Sequence, residues 1–315
     1  MEKYAQLAAK KPQLFIAIIM IMNVLAIIGI FMLRINPKVE QIFGGENETM
    51  RNLERMEKIF QSGEEIGILI YDEDLPGPEG FRKVLEIQKK LENIDGVKKV
   101  VGVPEKVFKG FRIVDVKEFD EKMVSLIENM LSHSPIKRYD KGWFFLTVIL
   151  KPDINEAKVA RSVEEMLKGT KHSITGNVYI EQKIFDYILI ILFSFLPAIV
   201  VIILTIFSIR LGSIKAGIFS IAPAGMAAGW SLGFMGLSGF ELSLLTVLVP
   251  IFVIILGSAD ALHLLSHYLE TERGPKGMAK ALRVSGVAII MTTLTTMAGF
   301  LSFLPLPAKG LKQLG

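Results

Sequence analysis

The chain contains no cysteine, which excludes disulfides, thiolate catalysis and thiolate-ligated zinc while leaving the compartment open, because many exported domains also lack it. It has no glycine-rich phosphate loop ending in Lys-Ser or Lys-Thr, so direct pumping by nucleotide hydrolysis has no support. No nucleophile–base pair stands out, and no enzymatic activity or cofactor is expected. The 36 Lys and Arg against 32 Asp and Glu leave a net charge of only +4. With no cluster of basic and aromatic residues, no nucleic-acid partner is expected.

Apolar sequence is what the chain has in abundance, at 51% of 315 residues. Long runs fall at residues 14–33, 184–209, 214–235, 242–265 and 284–304, each near the roughly 20 residues that cross about 30 Å of hydrocarbon. Five transmembrane helices are predicted, in a multi-pass protein of the plasma membrane. The first run is read as a retained helix, since its core exceeds the roughly 7–15 residues of a signal peptide and no small-x-small site follows.

Positive charges give the orientation. Lys3, Lys10 and Lys11 precede the first span, Arg210 and Lys215 separate the second and third, and Arg273, Lys276, Lys280 and Arg283 separate the fourth and fifth. Alternating spans place all three groups on one side, which is then cytoplasmic. Residues 1–36 form the cytoplasmic start and first helix, 37–183 an extracytoplasmic domain, and 184–315 the remaining helices. Residues 274–283 read as an amphipathic cytoplasmic segment whose basic side chains meet anionic headgroups.

Within the insertion, strand patterns at 66–71, 97–103, 143–150 and 172–180 alternate with helix patterns at 81–91, 119–131 and 155–167, the last started by Asp153 or Asn155. Two strand–helix–strand units in series predict a ferredoxin-like α+β sheet with an inserted helix. Asp72, Glu73 and Asp74 are expected in a solvated loop.

Asp260 is a carboxylate inside the run 242–265. A low dielectric disfavours its charged form, so its protonation responds to whether the site faces water, and such a group can act as a proton switch. The plainer alternative is an Asp paired with nearby hydroxyls to fix packing. At about 100° per residue, Asp260, His263, His267 and Glu270 share an arc of about 80°, a stripe running toward the cytoplasm as a proton exit path. Histidines at i and i+4 beside an acid can bind zinc, but this stripe reaches the interface, where polar residues cost little, and no metal site is expected. Gly225, Gly229 and Gly233 put three missing side chains on one face for close helix packing, with Gly257 as a further packing position. Pro197, Pro223 and Pro250 mark places where spans can kink.

The layout of one helix, a large outer domain and a helix cluster resembles the N-terminal half of a resistance-nodulation-division (RND) transporter. GSADALHLLSHYLE at 257–270 is similar to the fourth-helix motif of the MMPL and Patched-related branch, with one residue fewer between Gly257 and Asp260 and with Ala261 where that branch has an aromatic residue. TTLTTMAGFLS at 292–302 is similar to its fifth-helix pattern, and Thr175-Gly176-Asn177 to the segment before its second helix.

The resemblance implies a secondary transporter exporting a hydrophobic or lipid-like substrate. Coupling to protons, or to sodium, would run through Asp260 with His263 and with Thr292, Thr293, Thr295 and Thr296 reaching it across the bundle. Membrane threonines also bond their own helix backbone. The chain reaches Gly315 before a sixth span, so an incomplete half is expected, partnered by membrane lipids and by a copy of itself or a second RND half. The rival expectations are a non-transporting lipid- or sterol-sensing membrane protein and an accessory subunit of an export machine.

Overall fold

The computed structural model describes residues 11–38, 64–109, 112–115, 120–133, 138–152, 154–272, 274–306 and 309–314. Lys3, Lys10, Phe119, Asp153, Arg273 and Gly315, which the sequence reading used, lie outside the described residues. The chain divides into two compact units, one built from residues up to 47 and from 184 onward, the other from residues 48–183.

Helix α1 (Pro12–Met32) has proline in its first turn, where a missing N–H breaks no helical bond. It is followed by the two-residue strand β1 (Arg34–Ile35). The outer domain opens with β2 (Glu65–Tyr71), which turns Ile66, Ile68 and Ile70 into the core. Helix α2 (Pro78–Glu92) buries Phe81, Val84, Leu85, Gln88 and Leu91, the spacing of one helical face. Strand β3 (Val97–Val101) and the antiparallel hairpin of β4 (Lys106–Lys109) and β5 (Arg112–Asp115) follow.

Asp120 caps α3 (Glu121–Ser132) by accepting from the Met123 N–H at 2.7 Å. After β6 (Tyr139–Asp140) comes β7 (Trp143–Leu150), in which Phe144, Leu146, Val148 and Leu150 are fully buried and the residues between them are not. Asn155 caps α4 (Glu156–Met166) through the Lys158 N–H at 3.0 Å, and β8 (His172–Thr175) completes the sheet.

The sheet order is β3-β7-β2-β8 with every neighbouring pair antiparallel, and β6 pairs antiparallel with the start of β7. Its strands pack with α2, α3 and α4 around one apolar cluster. The Phe81 ring stands edge-on to Phe144 at 5.8 Å within it. Truncating a ring so buried costs about 3–5 kcal/mol. Two boundaries depart from the sequence reading. The strand expected at 97–103 ends at Val101, because the Val103 N–H turns instead to the buried Gln88 side chain at 2.9 Å. The strand expected at 172–180 ends at Thr175: Gly176 adopts φ +115, and a Cβ there would strike the Glu65 carbonyl. Helix begins immediately after it.

That helix is α5 (Asn177–Ile190), which passes through a π-helical turn, Ile191–Phe195, into α6 (Leu196–Leu211), making one continuous span of 35 residues. Pro197 explains the π turn, since it has no N–H for the turn before it and its ring crowds the preceding carbonyls. Gly212, at φ +66, ends α6 in a left-handed cap. Helix α7 (Ile214–Leu237) carries Pro223 inside it and leads to β9 (Glu241–Leu242), which pairs in parallel with β1. The Asn36 side chain donates to Glu241 at 2.8 Å beside this pairing.

The apolar run 242–265 is therefore not helical from its start. The Ser243 N–H donates to Thr246 Oγ1 at 2.7 Å and the Thr246 N–H to Ser243 Oγ at 3.3 Å, a reciprocal cap that delays α8 (Leu248–Leu269). Pro250 consequently lies in the first turn of α8, where it removes no helical bond and makes no kink. The amphipathic segment at 274–283 and the fifth span form one helix, α9 (Pro275–Leu301), because no breaker separates them. The short α10 (Lys309–Leu314) follows. Helix α7 packs against α1, α6 and α8, and α8 packs against α9. Among the described residues, five helices are long and apolar enough to cross a membrane, and the β-sheet domain between the first two is extracytoplasmic in this multi-pass plasma-membrane protein.

Candidate functional site

Helix α8 presents Asp260, partly buried, toward α9. From α9, Thr292 Oγ1 lies 3.3 Å from Asp260 Oδ1 and 2.8 Å from its own helix's Ile289 carbonyl. A hydroxyl has one proton and two acceptor lone pairs. Facing an ionised Asp260, Thr292 donates to the carboxylate. Facing a protonated one, it can accept the carboxyl proton and return its own to Ile289.

The other threonines do not reach the carboxylate. Thr293 donates to the Ile289 carbonyl at 2.8 Å, and Thr295 to the Met291 and Thr292 carbonyls at 2.9 Å. Thr296, one turn beyond Thr292, lines an apolar cavity of about 290 Å³ with Phe252, Leu256, Met297 and Phe300. His263 is exposed. His267 Nδ1 lies 3.6 Å from Glu270, and Tyr268 accepts the Gly274 N–H at 3.0 Å, so this end of the stripe organises the turn between α8 and α9. Among the described residues, no three His, Asp or Glu side chains converge as metal ligands would.

The glycines divide as well. A Cβ on Gly233 would strike the backbone of Ala26, and Gly29 and Gly236 meet the facing helix as closely, so the crossing of α1 and α7 depends on small residues from both. Gly257 sits against Ala224, with 3.2 Å to its Cβ. Gly225 and Gly229 have nothing within 4 Å of an added Cβ, so the close approach is confined to the Gly233–Gly236 end of α7. The sequence reading missed Gly29 and Asn23, whose Oδ1 accepts from the Trp230 indole at 3.3 Å and whose amide donates to the Ile19 carbonyl at 2.8 Å. A signal for Asn23 was present: it is the one polar side chain in the run 14–33.

In the outer domain the acidic loop is ion-paired. Lys83 bridges Asp72 at 3.0 Å and Asp74 at 2.7 Å at the edge of an open depression of about 790 Å³. Burial pushes the Asp72 carboxyl up, but the Asp74 N–H and Lys83 together hold it below its usual value. Lys83 is raised, by its hydrogen bond to Asp74 and then by that to Asp72. Glu164 is held low, chiefly by the hydrogen bonds from Lys183.

These features define a polytopic α-helical membrane protein with an extracytoplasmic β-sheet domain. Residues 186–304 match the Patched family, in the region described as the Patched SSD, so the helices that hold Asp260 form a Patched-SSD-like region. The chain is 23% identical over 341 aligned positions to a membrane protein of Methanocaldococcus jannaschii, covering 100% of this chain and 87% of that one. Among solved structures it is similar to SecDF, a translocon-associated membrane protein of Thermus thermophilus, at 13% identity and a TM-score of 0.43, covering 97% of this chain and 34% of that one. A heavy metal efflux pump matches at 12% identity and a TM-score of 0.38, over 85% of this chain and 37% of the pump. The chain spans about a third of the length of these two structures.

Proposed function

We propose that the protein is an RND-type secondary transporter, or one half of such a transporter, in which proton binding at Asp260 drives export of a hydrophobic or lipid-like substrate. The observation that carries this reading is the 3.3 Å contact between Asp260 and Thr292 across two membrane helices. Protonation reverses that hydrogen bond, and a proton crossing the membrane releases about 2.3 kcal/mol per 100 mV, comparable with the few kcal/mol that separate conformations of one protein. The Patched-SSD-like match covers both helices. The antiparallel order β3-β7-β2-β8, with α2 and α4 as its crossovers, supports reading the outer domain as a ferredoxin-like porter domain.

The test is transport of a fluorescent acyl-chain probe in proteoliposomes under an imposed pH gradient. Asp260→Asn is expected to reduce driven transport to the passive leak. Equal rates in the two proteins refute coupling through Asp260, and a response to a sodium gradient instead reassigns the ion. A second reading, a non-transporting lipid- or sterol-sensing membrane protein, is favoured by the Patched SSD match and the apolar cavity between α8 and α9. It expects probe binding that no gradient moves.

A further inference from the structure

The second membrane span begins inside the outer domain. Val178, in the first turn of α5, is 4% exposed within the domain's apolar core, and Tyr179 packs against the same cluster. One turn later Lys183 donates to both carboxylate oxygens of Glu164 on α4, at 2.6 and 2.9 Å. The Tyr179 hydroxyl donates to Glu164 Oε1 at 3.2 Å, and the Lys183 ammonium lies 5.3 Å from the centre of the Tyr179 ring. The three side chains form one closed set of contacts, with the Glu164 and Lys183 side chains each about a third exposed, at 32% and 33%.

Placement gives this set its mechanical importance. Helix α5 is joined to the four-residue strand β8 through Gly176, at φ +115, a junction about which the helix could pivot. Val178 is only two residues beyond that junction, about 3 Å along the axis, whereas Lys183 is seven residues beyond it, about 10 Å. A contact at the longer arm resists tilting far more than one beside the pivot. Below Lys183 the helix continues unbroken to the π turn Ile191–Phe195, ahead of Pro197. A π turn interrupts the regular α-helical bond pattern, and such turns occur frequently at functional sites.

We infer that Glu164, Tyr179 and Lys183 clamp α5 to α4, so that movement of the outer domain is carried into the second membrane helix, with the π turn as its compliant segment. The clamp's use in export rests on the transport reading above; its existence does not.

Hydrogen–deuterium exchange on the full chain in lipid nanodiscs tests the clamp. In Glu164→Gln and in Lys183→Met, the amides of residues 180–183 should exchange about threefold to fivefold faster, the factor that corresponds to losing one part-exposed ion pair, while β2 and β7 amides keep their protection. The exchanged pair, Glu164→Lys with Lys183→Glu, should restore slow exchange. Unchanged exchange at 180–183, an equal acceleration across β2 and β7, or failure of the exchanged pair to restore protection each overturns the clamp. In proteoliposomes, Glu164→Gln should lose gradient-driven transport; full transport with the clamp open overturns its transmitting role. Absence of transport in the unaltered protein, with the exchange results as expected, defeats the transport reading and leaves the clamp standing.

Discussion

Gly233→Ala and Gly225→Ala, the same change two turns apart on α7, are expected to shift stability in opposite directions. A methyl group on Gly233 would meet backbone atoms of Ala26, including its carbonyl oxygen at 2.7 Å and carbonyl carbon at 2.9 Å. Backbone cannot step aside as the tip of a flexible side chain can, so α1 and α7 must separate. Overpacking of this kind costs about 1–3 kcal/mol, and the gain from replacing a helical glycine, about 0.5–1 kcal/mol, offsets only part of it. The separation would also stretch the 3.3 Å bond between Trp230 and Asn23, one turn from the crossing. A net loss of up to about 2.5 kcal/mol follows. Gly225 has nothing within 4 Å, so alanine there keeps the propensity gain of up to about 1 kcal/mol. Thermal unfolding of the detergent-solubilised protein, followed by Trp fluorescence, measures both. A Gly233→Ala protein as stable as Gly225→Ala would refute the assignment of the close crossing.

Thr292→Val is expected to lower gradient-driven transport about tenfold, the value of one hydrogen bond to a charged group, while Thr293→Val leaves it near the unaltered rate because that hydroxyl serves its own helix; equal effects would remove Thr292 from the site. The outer domain should lose stability in acid. Glu164 and Asp72 are depressed from 4.5 and 3.8, so each stabilises the fold above its unfolded value and that contribution disappears as pH falls through the lower folded value. Lys83 is raised from 10.5, so its contribution is complete below that value and is lost only as pH rises past it. Urea midpoints from pH 7 down to 3 should therefore fall mainly below about pH 4.5, and Glu164→Gln should flatten this acid limb by under about 1 kcal/mol. An identical limb in the variant would show that the Glu164–Lys183 pair does not drive it.

The features legible in sequence are those written in consecutive residues. Ile66, Ile68 and Ile70 alternate as a half-buried strand must, and Phe81, Val84, Leu85, Gln88 and Leu91 recur as one helical face. The hairpin of β4 and β5 was not anticipated, because KVFK and RIVD each hold two adjacent apolar residues and show no alternation. Other boundaries were set by partners far along the chain. Leu242, the first residue of the fourth apolar run, joins Glu241 in pairing with Arg34 and Ile35, some 200 residues earlier, and hydropathy does not register such a pairing. The helical start at Asn177 within an apparently strand-like run depends on Val178 finding a place in the domain core.

By itself, the sequence determined that the chain carries five apolar runs long enough to cross a membrane and one carboxylate in the fourth of them, because hydrocarbon thickness and the cost of burying charge act on composition and length alone. It also showed four threonines and a column of glycines without distinguishing among them. Only the tertiary structure decided that Thr292 meets Asp260 while Thr293 and Thr295 bond backwards, and that Gly233, rather than Gly225, lies at a helix crossing. Those choices depend on the rotation of one helix relative to another and on where along their lengths two helices cross, both set by side chains packing between helices distant in sequence.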